Sequence, residues 1–285
     1  QSRLTPMSTR ERRDRSNESD RFLSKLFHDS VHTHCDADTG KEISLAAVGG
    51  YGRGELSPGS DLDILILHNG KIAHEKLQAI VNDVLYPLWE RNSVDHSVRT
   101  RSETRESAAS DLRVATGLLD IRLIAGNPDL VAAVQGDSLE YWRKNTKQNL
   151  PELERSLSER HVRAGELAYL LEPDLKEARG GLRDIQALRA IASSGAIHVP
   201  LEKISWAEST LNNVREALHT ASGRGKNRLL FQEQDKVAKI LEYKNADAMM
   251  GDVARAARSV DYLLDYTWHA LEHKGKDGFG RIMRK

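Results

Sequence analysis

The chain is poor in cysteine and has no long apolar run. Its single cysteine, Cys35, excludes an intramolecular disulfide and is typical of proteins in a reducing compartment. No apolar stretch approaches the roughly 20 residues that a membrane-spanning helix requires, and the chain does not open on a signal-peptide pattern. We therefore expect a cytoplasmic protein with no membrane partner.

An excess of charge of either sign is also missing. The 42 lysine and arginine residues balance the 42 aspartate and glutamate residues, so we expect no bulk attraction to nucleic acid and no nucleic-acid partner. The P-loop pattern G-x-x-x-x-G-K-[ST] does not occur. The glycines at positions 50, 52 and 54 fit neither the dinucleotide-binding fingerprint nor a kinase glycine loop.

What the chain does contain is an informative stretch from Ile43 to Leu67, ISLAAVGGYGRGELSPGSDLDILIL. Its apolar ends, residues 43–48 and 62–67, each predict a buried strand. Between them lie residues 49–54, called here the glycine turn, and a polar segment rich in serine, proline and glycine. The stretch therefore predicts strand, turn and strand at the centre of a domain.

Two carboxylates, Asp61 and Asp63, stand at the start of the second predicted strand. Side chains two residues apart share a face of a strand, so this pair is suited to hold Mg²⁺ in two-metal phosphoryl or nucleotidyl transfer. Gly49 and Gly50 would let backbone N–H groups approach a phosphate, and Arg53 would neutralise its charge. The alternative is a solvated turn without a ligand.

A third strand is predicted at residues 93–99, SVDHSVR, because their character alternates. Asp95 lies on the face opposite Val94 and Val98. A third carboxylate on a neighbouring strand can hold a metal and accept the proton of an attacking hydroxyl. The residues alone leave Asp95 open between this role and a solvent-facing side chain.

Helices are predicted for much of the remainder. Residues 77–88 follow helical spacing up to Pro87, which should end or kink the helix. A second helix is expected from Ser110 to Gly126, with further long helices after it. We predict a polar N-terminal tail at residues 1–20, a catalytic domain at residues 21–135 and an all-helical domain at residues 136–285.

A second distinctive stretch, LEPDLKEARGGLRDIQ, covers residues 171–186. Its glycine pair, Gly180-Gly181, opens a predicted helix, and helix N-termini favour anions. Lys176 and Arg183 are therefore predicted to clamp a triphosphate, with Asp184 orienting one of them. The alternative is local electrostatics between Arg183 and Asp184 at the helix cap.

Together the two stretches resemble the PII uridylyltransferase family, bifunctional enzymes that modify the nitrogen-signalling PII protein. A weaker likeness runs to the glutamine synthetase adenylyltransferases, but the Gly-Gly-Leu-Arg-Asp block favours the former family. The resemblance covers about residues 22–270 and corresponds to the N-terminal transferase half. It implies an α+β fold, in which a polymerase-β-type nucleotidyltransferase domain with a small mixed sheet precedes an all-α domain.

The resemblance also implies a reaction. A nucleotide would pass from UTP, or from ATP as in some members, to a tyrosine of PII. Asp61, Asp63 and Asp95 would hold Mg²⁺, while the glycine turn, Arg53 and Ser60 would hold the phosphates. Two alternatives of other classes stay open: a catalytically silent nucleotidyltransferase-fold regulator, and a transferase acting on RNA or a small molecule.

Overall fold

A computed structural model describes residues 7–36, 39–89, 94–223 and 225–282. Ser93, the first residue of the predicted third strand, lies outside the described residues. The chain divides into two compact units, one formed by Thr9–Lys144 and one formed from Asn145 onward. Each unit is described by itself below.

The first unit contains a mixed four-stranded sheet in the order β3-β2-β1-β4. Its strands are β1 (Ile43–Ala47), β2 (Leu62–His68), β3 (Val94–Thr100) and β4 (Arg122–Gly126). β1 pairs antiparallel with β2 and β4, whereas β2 and β3 run parallel. The predicted small mixed sheet and the α+β class are confirmed.

Helices precede, connect and follow the strands of this sheet. They are α1 (Met7–His34), α2 (Gly49–Gly52), α3 (His74–Trp89), α4 (Arg101–Ser110), α5 (Leu112–Leu118) and α6 (Pro128–Lys144). The helix predicted over residues 77–88 is α3, which continues two residues past Pro87. The predicted domain boundary after residue 135 falls inside α6, which belongs to the first unit as far as Lys144.

The core of this unit forms where apolar strands meet the apolar stripes of α1 and α3. All five residues of β1 are buried, which explains its continuous apolar sequence. Leu23 and Phe27 of α1 and Ile80 and Leu85 of α3 pack in the same cluster. The buried strand β2 is thereby fixed in place, and with it the position of Asp63.

The expected helix from Ser110 to Gly126 was wrong in its second half. α5 ends at Leu118, and β4 then pairs with β1 at the sheet edge. A short apolar run carries no periodicity that separates a helix from a strand. Here the segment forms a strand, because its pairing with β1 satisfies N–H and C=O groups on the edge of β1 that a helix at this place would leave unpaired.

Residues 1–20 were predicted as a polar tail, but residues 7–20 belong to α1. Arg12 and Ser16 are buried, and Arg15 Nε donates to the Leu56 carbonyl at 3.0 Å. The polar composition of this segment is explained by such side-chain bonds, together with exposed positions on the opposite face of the helix.

The second unit is helical. Its helices are α7 (Thr146–Ala164), α8 (Leu182–Ser194), α9 (Ser205–Ser222), α10 (Phe231–Ile240) and α11 (Ala246–Ile282). Leu211 and Val214 of α9 and Val253 and Val260 of α11 are buried. This arrangement agrees with the predicted all-α part. In the residues that the structure describes, no helix combines the length and apolarity needed to cross a membrane.

Gly126 should be intolerant of substitution because β4 depends on it. Its φ is +93°, and an added Cβ would lie 2.7 Å from Ser44 Cα and closer still to the Ile43 carbonyl. We expect Gly126→Ala to lower the free energy of unfolding by at least about 2 kcal/mol, measured by urea denaturation.

Gly136 is the matched control for this substitution. It lies within α6, and no heavy atom lies within 4 Å of the position of an added Cβ. Gly136→Ala should be neutral or stabilise the protein by about 0.5–1 kcal/mol. A Gly126→Ala protein as stable as the wild type would contradict the described β1–β4 packing.

Candidate active site

The predicted acidic residues are brought together by the parallel register of β2 and β3. Asp63 and Asp95 are direct Cα partners in this pairing, and residues at the same level of adjacent strands share a face of the sheet. Asp63 is half-buried and Asp95 is exposed. Asp61 comes immediately before β2 and is also exposed. One end of the sheet therefore carries Asp63 and Asp95 on neighbouring strands, with Asp61 just before β2.

The glycine turn lies directly beside Asp63. The Val48 amide, just before the turn, donates to the Asp63 carbonyl at 3.0 Å. Gly49 has φ +56°, and a Cβ added there would lie 3.3 Å from Asp63 Oδ2. The Asp63 carboxylate therefore faces the start of the turn, at a distance that a larger residue at position 49 would crowd.

Three of the six backbone amides of the glycine turn, those of residues 52–54, donate to carbonyls within or next to the turn. The amides of residues 52–55 donate to carbonyls of residues 48–51, at 3.0–3.2 Å. The first amides of a helical turn have no partner inside it, and the Val48 cap has no side chain able to accept from them. The turn itself does not use the amides of residues 49–51, and those of Gly49 and Gly50, which have no side chain beside them, are predicted to bind a phosphate.

Arg53 occupies a more structural position than the sequence suggested. Its Nε donates to Glu55 Oε2 at 2.8 Å and its Nη1 to Asp120 Oδ2 at 2.5 Å. Burial alone would lower the pKa of Arg53, but the carboxylates of Glu55 and Asp120 raise it above its ordinary value. Two carboxylates already compensate its charge, so phosphate binding by Arg53 stays a prediction.

Ser60 organises the segment that leads into β2. Its Oγ accepts the Ser57 amide at 3.0 Å, and its own amide donates to the Ser57 carbonyl at 2.9 Å. This reciprocal pair closes a tight turn ahead of Asp61. A role of Ser60 in holding phosphate stays a prediction.

The donor set at this end of the sheet suits Mg²⁺, which prefers oxygen ligands and takes only one or two carboxylates besides phosphates. Asp63 and Asp95 are adjacent, which fits such an ion. Within the described ranges, no three histidine, cysteine, aspartate or glutamate side chains lie close enough to share one metal ion. A three-carboxylate centre of Asp61, Asp63 and Asp95 therefore stays a prediction.

Asp20, Tyr51 and Arg122 form a group at the glycine turn, of which the sequence singled out Arg122 alone, as open between a phosphate contact and a surface salt bridge. Tyr51 is buried, and its hydroxyl donates to Asp20 Oδ1 at 2.7 Å. Burial and this bond raise the pKa of Tyr51 well above its ordinary value, so the hydroxyl remains a donor. Arg122 of β4 contacts both residues. Only the tertiary fold reveals this group, because its members are far apart in sequence.

The second distinctive stretch, residues 171–186, forms a hydrogen-bonded loop and the start of α8 in the helical unit. Asp184, at the start of α8, is fully buried and pairs with Arg160 Nη2 at 2.5 Å and with His161 Nε2 at 2.9 Å. Its Oδ2 also accepts the Gly180 amide at 2.6 Å. The expectation that Asp184 orients Lys176 or Arg183 toward a nucleotide is corrected, because its oxygens are committed to these partners.

The electrostatics of Asp184 follow from the same contacts. Burial alone would raise the pKa of Asp184, but the hydrogen bond from His161 and the charge of Arg160 outweigh it. The pKa therefore lies below its ordinary value, and the side chain is held as a carboxylate.

Lys176 and Arg183 are brought together by the backbone of this loop. The Arg183 amide donates to the Lys176 carbonyl at 3.0 Å. The Arg183 side chain is exposed and pairs with Glu177 Oε1 at 3.2 Å. Both residues belong to the helical unit, so their predicted contact with a triphosphate stays a prediction.

Comparisons with known proteins agree with this division. Residues 35–106, which span β1, β2, β3 and the glycine turn, match the family model described as nucleotidyltransferase domain. The fold and the acidic end of its sheet thus define the first unit as a nucleotidyltransferase domain. Residues 148–268 match the family model described as GlnD PII-uridylyltransferase. The chain belongs to this PII-uridylyltransferase family.

Curated relatives are also named as uridylyltransferases. The chain is 46% identical over 267 residues to a bifunctional uridylyltransferase/uridylyl-removing enzyme of Streptomyces coelicolor, covering 93% of the chain and 30% of the relative. It is 39% identical over 229 residues to the enzyme so named in Mycobacterium tuberculosis, covering 77% and 28%. The chain thus spans less than a third of the length of these relatives.

Removing the charge of Asp184 should be costly. Asp184→Asn leaves Arg160 buried without its carboxylate, so we expect the free energy of unfolding to fall by about 3–5 kcal/mol. The control is Glu177→Gln, which breaks the exposed pair with Arg183 and should cost at most about 1 kcal/mol. Urea denaturation of both variants measures the difference, and equal losses would contradict a buried ion pair.

The lowered pKa of Asp184 also fixes the sign of a pH effect. Stability from its ionisation is present above the unfolded-state pKa, near 3.9, and is lost as pH falls through the lower folded-state pKa. The stability gap between the wild type and Asp184→Asn should therefore shrink below about pH 4. A gap that widens there would contradict this assignment.

Proposed function

We propose that this chain is a Mg²⁺-dependent protein nucleotidyltransferase. It transfers UMP from UTP, or AMP from ATP, to a tyrosine of the PII signalling protein and releases pyrophosphate. The observation that carries this proposal is the register of Asp63 beside Asp95, next to a glycine turn, in a chain of the PII-uridylyltransferase family. Activity and protein substrate belong to this proposal, since the relatives named uridylyltransferase/uridylyl-removing enzyme are much longer than this chain.

In the proposed reaction, the tyrosine oxygen attacks the α-phosphorus in line. A new oxygen–phosphorus bond forms, the bond from the α-phosphorus to the bridging oxygen breaks, and pyrophosphate takes the electron pair. Asp95, exposed on β3, accepts the hydroxyl proton. A pair of Mg²⁺ ions divided among Asp61, Asp63 and Asp95 would neutralise charge on the triphosphate.

The glycine turn contributes position and dipoles in this scheme. The amides of Gly49 and Gly50 donate to triphosphate oxygens, at a place where backbone can approach closely. Because those amides are fixed before substrate arrives, little reorganisation is needed during transfer. Arg53 fixes the turn through its bonds to Glu55 and Asp120, and Ser60 closes the segment that presents Asp61.

The helical unit supplies further cations in the proposal. Lys176 and Arg183 lie in one loop that is bonded internally through its backbone. We propose that these two cations bind phosphate oxygens of a nucleotide. Asp184 stabilises the loop by accepting a hydrogen bond from the Gly180 amide.

The test is transfer of label from α-labelled UTP and, separately, α-labelled ATP to purified PII with Mg²⁺. We expect label on a PII tyrosine from one of the two nucleotides. Asp61→Ala/Asp63→Ala should lower the rate at least about a hundredfold, because charge stabilisation by the metal is worth several kcal/mol.

Asp129→Ala is the control for this experiment. Asp129 is an exposed carboxylate at the start of α6, beyond the end of β4 that lies away from Asp63, and its loss should leave the rate unchanged. Full transfer by the double variant would rule out the carboxylate site. No transfer from either nucleotide, in a chain that still binds PII, would favour a catalytically silent regulator.

Asp95 needs a separate test because it combines two proposed roles. Asp95→Asn should lower kcat by about 10²–10⁴-fold, the usual contribution of a positioned general base. Ser97→Ala is the matched control, since Ser97 lies two residues along β3 on the same face. Equal kcat for both variants in the labelling assay would remove Asp95 from the mechanism.

A further inference from the structure

Asp20 and Arg122 form an ion pair behind the glycine turn. Arg122 Nη1 donates to Asp20 Oδ2 at 2.6 Å, and Nη2 donates to Oδ1 at 3.1 Å. This fork geometry is specific to arginine, since lysine cannot reproduce two parallel bonds. Asp20 belongs to α1 and Arg122 to β4, so the pair links two elements far apart in sequence.

The same guanidinium also holds the turn directly. Arg122 Nε donates to the Gly52 carbonyl at 3.1 Å, and Nη2 donates to the Tyr51 carbonyl at 3.3 Å. Its carbon lies 5.5 Å from the centre of the Tyr51 ring, within the range of a cation–π contact. The Tyr51 hydroxyl donates to Asp20 Oδ1 at 2.7 Å, so each of the three residues contacts the other two.

These contacts make direct phosphate binding by Arg122 unfavourable. All three guanidinium nitrogens donate to protein oxygens, and Asp20 compensates the charge. Contact with a phosphate would require these bonds to break. Arg122 is therefore placed to act through the turn rather than on a ligand.

Gly52 makes the position of the turn sensitive to this support. A Cβ at Gly52 would collide with the Asp120 carbonyl and would lie 3.2 Å from the Ala47 carbonyl. The turn is thus packed tightly against the backbone just before β4. Arg122, the first residue of β4, donates to the carbonyls of Tyr51 and Gly52. The amides of Gly49 and Gly50 belong to the same short helix as Gly52.

We infer that the group Asp20, Tyr51 and Arg122, called here the brace, positions the Gly49 and Gly50 amides for the triphosphate of the nucleotide. The inference rests on the proposed function and names Arg122 as a positioning residue. It assigns α1 a part in nucleotide binding, although α1 contributes no group to the carboxylate site.

The experiment compares two Arg→Lys variants by steady-state labelling of PII and by thermal unfolding. Arg122→Lys keeps a positive charge beside Asp20 but loses the fork and the bonds to the turn. Arg101→Lys removes an equivalent fork, from Arg101 to Asp137 at 2.6 and 2.7 Å, which links α4 to α6. The two substitutions therefore match in chemistry and differ in contact with the turn.

We expect Arg122→Lys to raise the KM for the nucleotide about fivefold to tenfold, with kcat within about twofold of wild type. Arg101→Lys should leave both constants unchanged. A merely structural role predicts a lower unfolding temperature with an unchanged KM, and that result would overturn the inference. Asp20→Asn gives a second test, since it should raise the KM in the same direction while keeping the shape of the side chain.

The outcomes also separate this inference from the proposed function. Wild-type transfer with an unchanged KM in Arg122→Lys and Asp20→Asn would overturn the brace alone. Absence of transfer in the wild type, together with no binding of UTP or ATP by calorimetry, would overturn both. If Arg122→Lys does not fold, the KM of Asp20→Asn is the test. A raised KM supports the brace, and an unchanged KM overturns it.

Discussion

The parallel pairing of β2 with β3 is the interaction on which the candidate site depends. It sets Asp63 level with Asp95, and a slip of one residue would turn one of them to the other face of the sheet. The register is strongly specified because β2 is an apolar run buried along most of its length. Hydrophobic burial in the core therefore determines where the carboxylates lie.

Arginines then fix the glycine turn against this sheet. Arg53, a residue of the turn, donates to the Asp120 carboxylate, and Arg122 of β4 donates to the Gly52 carbonyl. Both pair with carboxylates that are at most a third exposed, where ion pairs are screened less than at the surface. A glycine-rich segment has high conformational freedom, so such external contacts are what hold its amides in one place.

The sequence predicted the parts of this fold whose apolar pattern is periodic or continuous. The strands around Leu62 and Val94 and the helix containing Pro87 were found in this way. β4 was not, since its run of five residues becomes a strand only through pairing with β1. Asp184 was misassigned because its partners, Arg160 and His161, lie on α7, more than twenty residues earlier.

The most direct test of the account is a crystal structure with a non-hydrolysable UTP or ATP analogue and Mn²⁺ in place of Mg²⁺. Anomalous scattering should place the ion about 2.0–2.3 Å from carboxylate oxygens of Asp63 and of Asp95 or Asp61, with triphosphate oxygens against the Gly49 and Gly50 amides. An ion bound elsewhere, or a triphosphate that does not touch the glycine turn, would contradict the central claim.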